Sequence, residues 1–359
     1  MYSFNFILVY LATLFFISVI LINYFRDFII TYRIFPKPKK RDLHLDSIPS
    51  SLGIIFPIAM WFGIFLINTV EPKSIENYNI IFISAFIISL IGFWDDLKSL
   101  KPRTKLLYQI ILITSCLFFN DIVIRNLNGF LGIFEIPKII GFPITIIIGL
   151  AIINSFNNID GIDGLAALLS IVIFTCFGII FWALDYPFLF IICLSLTGVI
   201  SAFLIFNFSE SKKVFMGDSG SLFLGFIIFV MTLYFINNLD PVIDKLFHRS
   251  IIPIAPMVMF AYPIVDTISI SFYRFSTGKN IFSPDNFHLH HMLLALTKSH
   301  KISSLIVFVF MILIISIFSY LAFHMNHNFF IITFLVFFIT LNISSIWVRN
   351  RMIKIGLLK

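Results

Sequence analysis

The sequence predicts an all-α integral membrane protein, a bundle of about eleven transmembrane helices. Of its 359 residues, 59% are hydrophobic and only 12% are charged, and the mean hydropathy is +1.02. These values lie far from those of an ordinary soluble domain. A helix needs about 20 mostly apolar residues to cross a bilayer. Such segments lie near residues 4–24, 50–69, 78–94, 105–119, 141–155, 164–183, 187–207, 219–236, 251–273, 303–323 and 328–348. We therefore expect residues 1–359 to form a single transmembrane domain.

The loops between these segments divide by charge, which predicts the orientation. Alternate loops and the C-terminus hold 20 of the 25 Lys and Arg residues, and loops rich in these residues stay in the cytoplasm. The N-terminus is therefore expected outside and the C-terminus inside. This bias explains most of the net charge of +7, so nucleic acid is not expected as a partner. The first segment lacks a small-residue cleavage site, so we expect it to be a retained helix.

Two minor features complete the predicted architecture. Residues 121–139 alternate β-branched and polar positions around the sequence NLNG, which predicts a short external β-hairpin. Cys116, Cys176 and Cys193 fall within apolar segments, where a small packing role is expected instead of disulfide or metal chemistry.

Carboxylates cluster at the predicted cytoplasmic ends of the helices. Asp95 and Asp96 close the third segment, Asp160 and Asp163 are expected to open the sixth, Asp218 opens the eighth, and Asp266 lies within the ninth. Ionisable groups at membrane depth are costly, so each is a candidate functional residue. Taken alone, any of them could instead be a helix cap or an interfacial charge. Because several loops place acids on one side of the bilayer, a shared site is the favoured interpretation.

The stretch NSFNNIDGIDG, residues 154–164, is the most polar of these helix ends. If a helix begins at Asp160, then Asn157, Asp160 and Asp163 share one face, because residues three apart are neighbours. The two glycines in the stretch leave room for a ligand or a second backbone. A divalent cation, or a neutral ligand such as a nucleobase with its ribose, would suit such anionic side chains.

The segment MGDSGS, residues 216–221, has the same character, with glycines flanking Asp218. Carboxylate and hydroxyl oxygens favour Mg²⁺ or Mn²⁺. Lysines and arginines nearby are what phosphate groups would need beside that metal. The pattern predicts phosphoryl transfer or nucleotide-sugar chemistry at the cytoplasmic face.

Three histidines, His288, His290 and His291, crowd the segment HLHH. A Zn²⁺ site is one interpretation, but no thiolate accompanies them. We favour contact with a phosphate or a sugar. The sequence suggests no role for the isolated histidines, which are His248, His300, His324 and His327.

In this order the motifs resemble those of the polyprenyl-phosphate N-acetylhexosamine-1-phosphate transferases. The WecA-type branch is more similar than phospho-MurNAc-pentapeptide translocase, and the resemblance covers about residues 35–295. It implies transfer of a sugar 1-phosphate, with GlcNAc expected, from a UDP-sugar to undecaprenyl phosphate. UMP is released, Mg²⁺ or alternatively Mn²⁺ is the cofactor, and the product initiates a cell-envelope polysaccharide such as an O-antigen. The bacterial inner membrane and a homodimer are further expectations of this resemblance.

The same resemblance implies roles for particular residues. The implied catalytic residues are Asp95, Asp96, Asp160, Asp163 and Asp218. The implied metal ligands are Asp218 and Asn207. The implied substrate contacts are Arg41, His44, Lys105, Asn157, Phe215 (stacked on uracil), Lys279, His288, His290 and His291. The active-site loops are expected on the cytoplasmic side at about 25–49, 95–105, 154–163, 208–218 and 274–302, with Asn207 directly before the fourth of them.

Two departures from the family pattern bear on the donor sugar. After Pro49 the chain has SSLG in place of the usual glycine pair and keeps only Gly53. Asn286 stands where the branch commonly has arginine, so one phosphate contact is expected to be either lost or supplied by Lys279.

Alternatives remain open at this stage. Transfer could be direct or could pass through a covalent aspartyl intermediate. A cation-coupled transporter would also use intramembrane carboxylates, although transporters usually bind near the midplane between repeats. An inactive lipid-binding homologue would require loss of the acids, yet Asp95, Asp96 and Asp218 are all present.

Overall fold

The computed structural model describes residues 3–34, 48–70, 78–237, 248–278, 280 and 287–357. The first half of the fold consists of α1 Phe4–Thr31, α2 Ile55–Val70, α3 Asn79–Lys98, α4 Pro102–Asn120, β1 Asn126–Phe130, β2 Ile133–Glu135 and α5 Lys138–Ile159. The second half consists of α6 Leu165–Ala183, α7 Pro187–Asn207, α8 Gly217–Asn237, α9 Ile254–Met259, α10 Ala261–Ser276, α11 Leu289–Thr297, α12 His300–His324 and α13 His327–Lys354.

The helices confirm a multi-pass helical membrane protein. Within the described ranges, eight helices are long and apolar enough to span a membrane, or up to nine if one bent pair counts as a span. Two predicted segments are helical but fall outside this set. Helix α2 has only 16 residues, and α4 carries Arg103, Lys105 and Gln109 in its first half. The count of eleven spans and the orientation therefore stay predictions.

The bent pair interrupts the predicted segment 251–273. Residues Arg249–Met259 and Ala261–Ser276 meet at an angle of 73°. Pro263 has no backbone N–H, so it cannot donate to the carbonyl of Met259 four residues earlier. The helix therefore breaks at Phe260 and restarts in a new direction.

The hairpin predicted within residues 121–139 is present. Strands β1 and β2 pair antiparallel, with Asn126 opposite Glu135 and Phe130 opposite Ile133. Asn128 and the glycine after it have positive φ angles of 56° and 84°. This left-handed pair makes the register irregular, as expected for an Asn-Gly sequence.

Helix α8 lies at the centre of the bundle. Its most apolar window is entirely buried, whereas the corresponding windows of α12 and α13 are only 22% buried. It packs mainly against α3 and α5. At Gly92 of α3 a Cβ would lie 2.3 Å from the carbonyl oxygen of Asp218, so only glycine permits this approach. The polar start of α8 is thereby enclosed by its neighbours.

The stretch 154–164 differs from its prediction. Helix α5 continues to Ile159 and α6 begins only at Leu165, so the expectation that Asp160 and Asp163 form the first turn of α6 is wrong. The buried face of α5 runs through Ile152, Phe156 and Ile159, which carries the helix past the asparagines. Both aspartates lie in the turn between the two helices.

Candidate active site

Lys105 lies between two carboxylates from different helices. Its Nζ is 2.5 Å from Oδ2 of Asp218 and 3.2 Å from Oδ2 of Asp95. It also donates to Oδ1 of Asn157 at 3.2 Å. With Asp96, these residues form what we call the acid–lysine cluster, which comprises Asp95, Asp96, Lys105, Asn157 and Asp218. The cluster joins the end of α3, the start of α4, the end of α5 and the start of α8.

The two adjacent aspartates of α3 have different contacts. Asp95 faces Lys105, and its Oδ1 accepts the backbone N–H of Leu100 at 2.5 Å. Asp96 accepts the backbone N–H groups of Asp218 at 2.9 Å and Ser219 at 3.3 Å. An anion that accepts these free amides stabilises a helix N-terminus. Asp96 therefore caps α8 and fixes the position of Asp218.

Asn157 supports Asp218 from the opposite side. Its Nδ2 donates to Oδ1 of Asp218 at 2.7 Å and to Oγ of Ser221 at 2.9 Å. Because Asn157 sits in the last turn of α5, this contact depends on the helix continuing to Ile159. The amide and Lys105 together hold both carboxylate oxygens of Asp218.

Asp160 and Asp163 have contrasting surroundings. Burial raises the pKa of Asp160 well above its usual value, and the neighbouring carboxylates of Asp218, Asp96 and Asp163 add to that effect. Asp163 instead forms an ion pair with Lys213 at 2.6 Å. Its backbone N–H also donates to Nδ1 of His300 at 3.3 Å. His300, for which the sequence suggested no role, therefore helps to hold this turn.

Both the oxygen and the nitrogen of the Asn207 side-chain amide form hydrogen bonds to the backbone. Its Oδ1 accepts the N–H of Gly164 at 2.6 Å, and its Nδ2 donates to the carbonyl of Val214 at 2.8 Å. The side chain is buried and ties the start of α6 to the segment before α8. The oxygen of Asn207 is thus engaged by a backbone amide, and the metal role expected for this residue stays a prediction.

Phe215 is anchored through its backbone. Its N–H donates to the carbonyl of Pro49 at 2.9 Å, and its own carbonyl accepts the N–H of Leu52 at 3.1 Å. The half-buried ring lies 5.4 Å from Nζ of Lys213. The retained Gly53 belongs to the same contact, since a Cβ there would lie 2.1 Å from Cα of Gly220. The stacking of Phe215 on uracil stays a prediction.

Residues 287–291, which we call the histidine segment, pack on the turn after α5. A Cβ on Gly161 would lie 2.6 Å from Nε2 of His290 and 3.5 Å from Nε2 of His291. His288 and His290 are buried. Burial lowers the pKa of His290 to about 3, despite the nearby Asp266, so this ring is uncharged at neutral pH. Within the described part of the chain, neither of its nitrogens has a hydrogen-bond partner.

Four residues named from the sequence lie outside the described ranges. They are Arg41, His44, Lys279 and Asn286. Their predicted substrate contacts stay predictions.

The acid–lysine cluster fits a hard divalent cation. Among the described residues, Asp95 and Asp218 share the ammonium group of Lys105, and Asp96 lies beside them against the start of α8, so carboxylates outnumber the ammonium group. Oxygen atoms of Asp95, Asp218 and Asn157 all lie within 3.2 Å of Lys105 Nζ. Such convergent carboxylate and amide oxygens are the ligands that Mg²⁺ takes.

Comparison with known proteins bears on the choice between a transferase and a transporter. Residues 78–236 match the family model described as Glycosyl transferase family 4. The predicted family resemblance is confirmed. The Glycosyl transferase family 4 match begins just before α3 and ends within α8, so it contains the whole acid–lysine cluster and stops before the histidine segment.

Bacterial relatives extend the similarity beyond that family match. The chain is 26% identical over 288 residues to the undecaprenyl-phosphate alpha-N-acetylglucosaminyl 1-phosphate transferase of Salmonella typhi, covering 79% of this chain and 75% of the relative. It is 28% identical over 282 residues to the probable undecaprenyl-phosphate N-acetylglucosaminyl 1-phosphate transferase of Bacillus subtilis (strain 168), covering 76% and 73%. The Escherichia coli (strain K12) transferase is 26% identical over 262 residues, covering 72% and 68%. The transporter interpretation gains no support from these matches.

Proposed function

We propose that this protein transfers GlcNAc 1-phosphate from UDP-GlcNAc to undecaprenyl phosphate at the cytoplasmic face of a bacterial inner membrane. UMP is the second product, and the lipid-linked sugar initiates a cell-envelope polysaccharide. The names of the relatives support the donor sugar and the lipid. The orientation rests on the 20 of 25 basic residues in one set of loops.

The observation that carries the proposal is the convergence of Asp95, Asp218 and Asn157 on Lys105 at the ends of membrane helices. A water-soluble diphosphate donor and an acceptor with a membrane-embedded tail can meet only at the bilayer surface. Excess carboxylate charge would repel a diphosphate unless a cation neutralises it. Asp218 and Asp95 would hold Mg²⁺, which when bound lowers the charge of the donor diphosphate and of the departing UMP.

The chemistry is a displacement at phosphorus. An oxygen of the acceptor phosphate forms a bond to the β-phosphorus of the donor. The bond from that phosphorus to the bridging oxygen breaks, and UMP leaves with the electron pair. A phosphate monoester has a second pKa near ~6, so the acceptor dianion is already present at neutral pH. The protein therefore has mainly to position the reactants.

The individual residues have distinct tasks in this proposal. Lys105 orients Asp95 and Asp218, and Asp96 holds the start of α8. His290 is a neutral imidazole, which can donate one hydrogen bond to a phosphate or a sugar hydroxyl without adding charge. Leaving a buried polar atom unpaired costs about 1–3 kcal/mol. A ligand that pairs with His290 recovers this energy on binding.

The test is transfer by the purified protein in lipid nanodiscs with radiolabelled UDP-GlcNAc, undecaprenyl phosphate and Mg²⁺. We expect lipid-linked label and UMP in equal amounts. Replacement Asp218→Ala should lower the rate about a thousandfold, since it removes a ligand of a cation worth several kcal/mol in the transition state. Asp121→Asn is the control, because Asp121 is 61% exposed and pairs with Lys138 away from the cluster.

Two further outcomes refine or reject the proposal. Exchange of labelled UMP into UDP-GlcNAc without lipid would indicate a covalent enzyme intermediate, whereas its absence supports direct attack. No UMP release with UDP-GlcNAc, UDP-GalNAc or deoxy-amino sugar donors would overturn the proposed function.

A further inference from the structure

Asp266 is a fully buried carboxylate that contacts the histidine segment and lies outside the acid–lysine cluster. Its side chain, on α10, has no solvent exposure. Oδ2 lies 2.8 Å from Nδ1 of His288, and Oδ1 accepts the backbone N–H of Leu289 at 2.7 Å. A buried charge is tolerated only when it is paired and hydrogen-bonded. Asp266 meets this condition by joining α10 to the start of α11.

Arg349 contributes a second buried contact to the same segment. It reaches from α13 and is fully buried. Its Nε donates to the carbonyl of Phe287 at 2.8 Å, immediately before the first histidine. Its Nη1 and Nη2 donate to the carbonyl and the Oγ of Ser269 at 2.9 and 3.0 Å. The planar guanidinium therefore links α13, α10 and the histidine segment in one fixed geometry.

We propose that Asp266 and Arg349 are positioning residues that hold residues 287–291 from two sides, and we call this pair the bracket. Asp266 affects the rate of sugar-phosphate transfer by orienting His288. The proposal rests on the proposed transferase function. When the His288 ring is neutral, the bond to Asp266 keeps the proton on Nδ1 and leaves Nε2 as the acceptor. The same bracket sets His290 against Gly161.

The placement of His290 explains why such a bracket matters. Its ring lies against the turn that carries Asp160, and its nitrogens have no hydrogen-bond partner among the residues that the structure describes. The neighbouring residues must therefore hold it in place. A displacement of about 1 Å in a catalytic group can lower a rate about a hundredfold.

A metal ion is the competing interpretation of the same residues. One ligand atom from each of Asp266, His288 and His290 lies within 4.8 Å of the others. However, both oxygens of Asp266 already have hydrogen-bond partners, one of them on the backbone. A metal at this position would have to displace the proton between Asp266 and His288. Hydrogen bonding accounts for the geometry without that step.

A double-mutant cycle tests whether Asp266 acts through His288. Replacement Asp266→Asn keeps the size of the side chain but leaves only one acceptor oxygen for two donors. We expect kcat to fall about 10- to 100-fold, as for other residues that orient a functional histidine, with KM for UDP-GlcNAc nearly unchanged. In a His288→Ala background the same replacement should have little further effect. Equal losses in both backgrounds, or no loss in either, would overturn the proposal.

Hydrogen–deuterium exchange provides a readout that does not depend on activity. Peptides covering residues 287–291 should exchange faster in Asp266→Asn and in Arg349→Lys than in the native chain. Arg351→Lys is the matched control, because Arg351 lies two residues further along α13 and is exposed. Unchanged exchange in both variants would overturn the bracket even if the protein transferred no sugar. Faster exchange without transfer would reject only the proposed function.

Analysis of bound metal tests the competing interpretation, a metal site at Asp266, His288 and His290. The native protein should contain no stoichiometric zinc, cobalt or nickel after dialysis against a chelator and re-addition of each ion. One bound ion per chain that is lost in Asp266→Asn would overturn the hydrogen-bonded bracket in favour of a metal site.

Discussion

Two neighbouring polar clusters in this protein balance their charges in different ways. The acid–lysine cluster contains three carboxylates and one ammonium group, which contacts Asp95 and Asp218, and the side chain of Asp218 keeps 29% of its surface exposed. The bracket pairs one carboxylate with His288 and a backbone amide, and its Asp266 and Arg349 are fully buried. One cluster has excess negative charge and access to solvent. The other is closed and has its hydrogen bonds satisfied.

This difference separates a binding role from a supporting role. A closed, satisfied network has nothing to offer a ligand, but it holds neighbouring groups rigidly. An open cluster with excess charge of one sign favours a counterion. The contrast predicts that changes in the acid–lysine cluster alter metal response and rate, whereas changes in the bracket alter the order of one segment.

The largest expected effect comes from Lys105→Met. Removing the ammonium leaves Asp95 and Asp218 near each other without a positive charge between them. We expect transfer to fall at least about a hundredfold, and metal-free stability to fall by about 3 kcal/mol, the lower end for broken buried pairs. Added Mg²⁺ should raise the melting temperature of the variant more than that of the native chain, because a cation can replace the lost charge. Thermal unfolding in nanodiscs with and without Mg²⁺ measures this.

Lys138→Met is the matched control for that change. Lys138 pairs with Asp121 at 2.6 Å, but both side chains are about 60% exposed. Exposed ion pairs contribute only about 0.2–1 kcal/mol, so little change is expected in stability, rate or metal response. Equal behaviour of the two variants would contradict the distinction between the clusters.

A smaller effect is expected from Gly92→Ala, which disturbs the backbone beneath Asp218. The added Cβ would lie 2.3 Å from the Asp218 carbonyl oxygen, so α3 and α8 must separate. We expect the transfer rate to fall at least about tenfold and the free energy of unfolding to fall by about 1–3 kcal/mol, as at other overpacked sites. The stabilisation by Mg²⁺ should also be weaker. At Gly178 a Cβ would make only an ordinary contact of 3.4 Å with Cys193. Gly178→Ala should therefore leave the Mg²⁺ response unchanged.

The smallest expected effect is a pH dependence at Asp160. Because burial and nearby carboxylates raise the pKa of Asp160 in the folded protein, the folded state binds that proton more tightly than the unfolded state. The free energy of unfolding of the metal-free protein should therefore decrease as pH rises from the usual Asp range through the raised pKa. Asp160→Asn cannot ionise and should lose this slope. Melting temperatures with EDTA between about pH 5 and 8 would decide, and parallel curves for the two proteins would exclude the effect.

Much of the fold could be predicted from the sequence because hydropathy directly determines where helices form in a membrane. The predicted apolar segments all contain helices, and the hairpin predicted within residues 121–139 is present, although its Asn-Gly pair lies in strand β1 and not in the turn. The error at residues 154–164 has a physical cause. Asparagines and aspartates favour helix starts in general, but here the apolar spacing up to Ile159 keeps the asparagines within α5 and leaves the aspartates in the turn that follows.

The different contacts made by the individual residues of the site could not be predicted from hydropathy. Adjacent Asp95 and Asp96 are identical as residues, and only the packing of α8 shows that one faces Lys105 while the other caps a helix. Arg349 was counted only as a cytoplasmic charge. A signal was present, since Ser345, Arg349 and Met352 follow helical spacing and all three are buried.

The central position of α8 has a consequence for how the protein is made. Its main partners, α3 and α5, are both synthesised before it. When α8 leaves the ribosome, Asp96 and Asn157, which hydrogen-bond to its first turn, have therefore already been synthesised. The acid–lysine cluster can form on the nascent chain, whereas α10 to α13, with the bracket, are translated later. Translation order thus places the acid–lysine cluster before the bracket, which is complete only when Arg349 of α13 has been made.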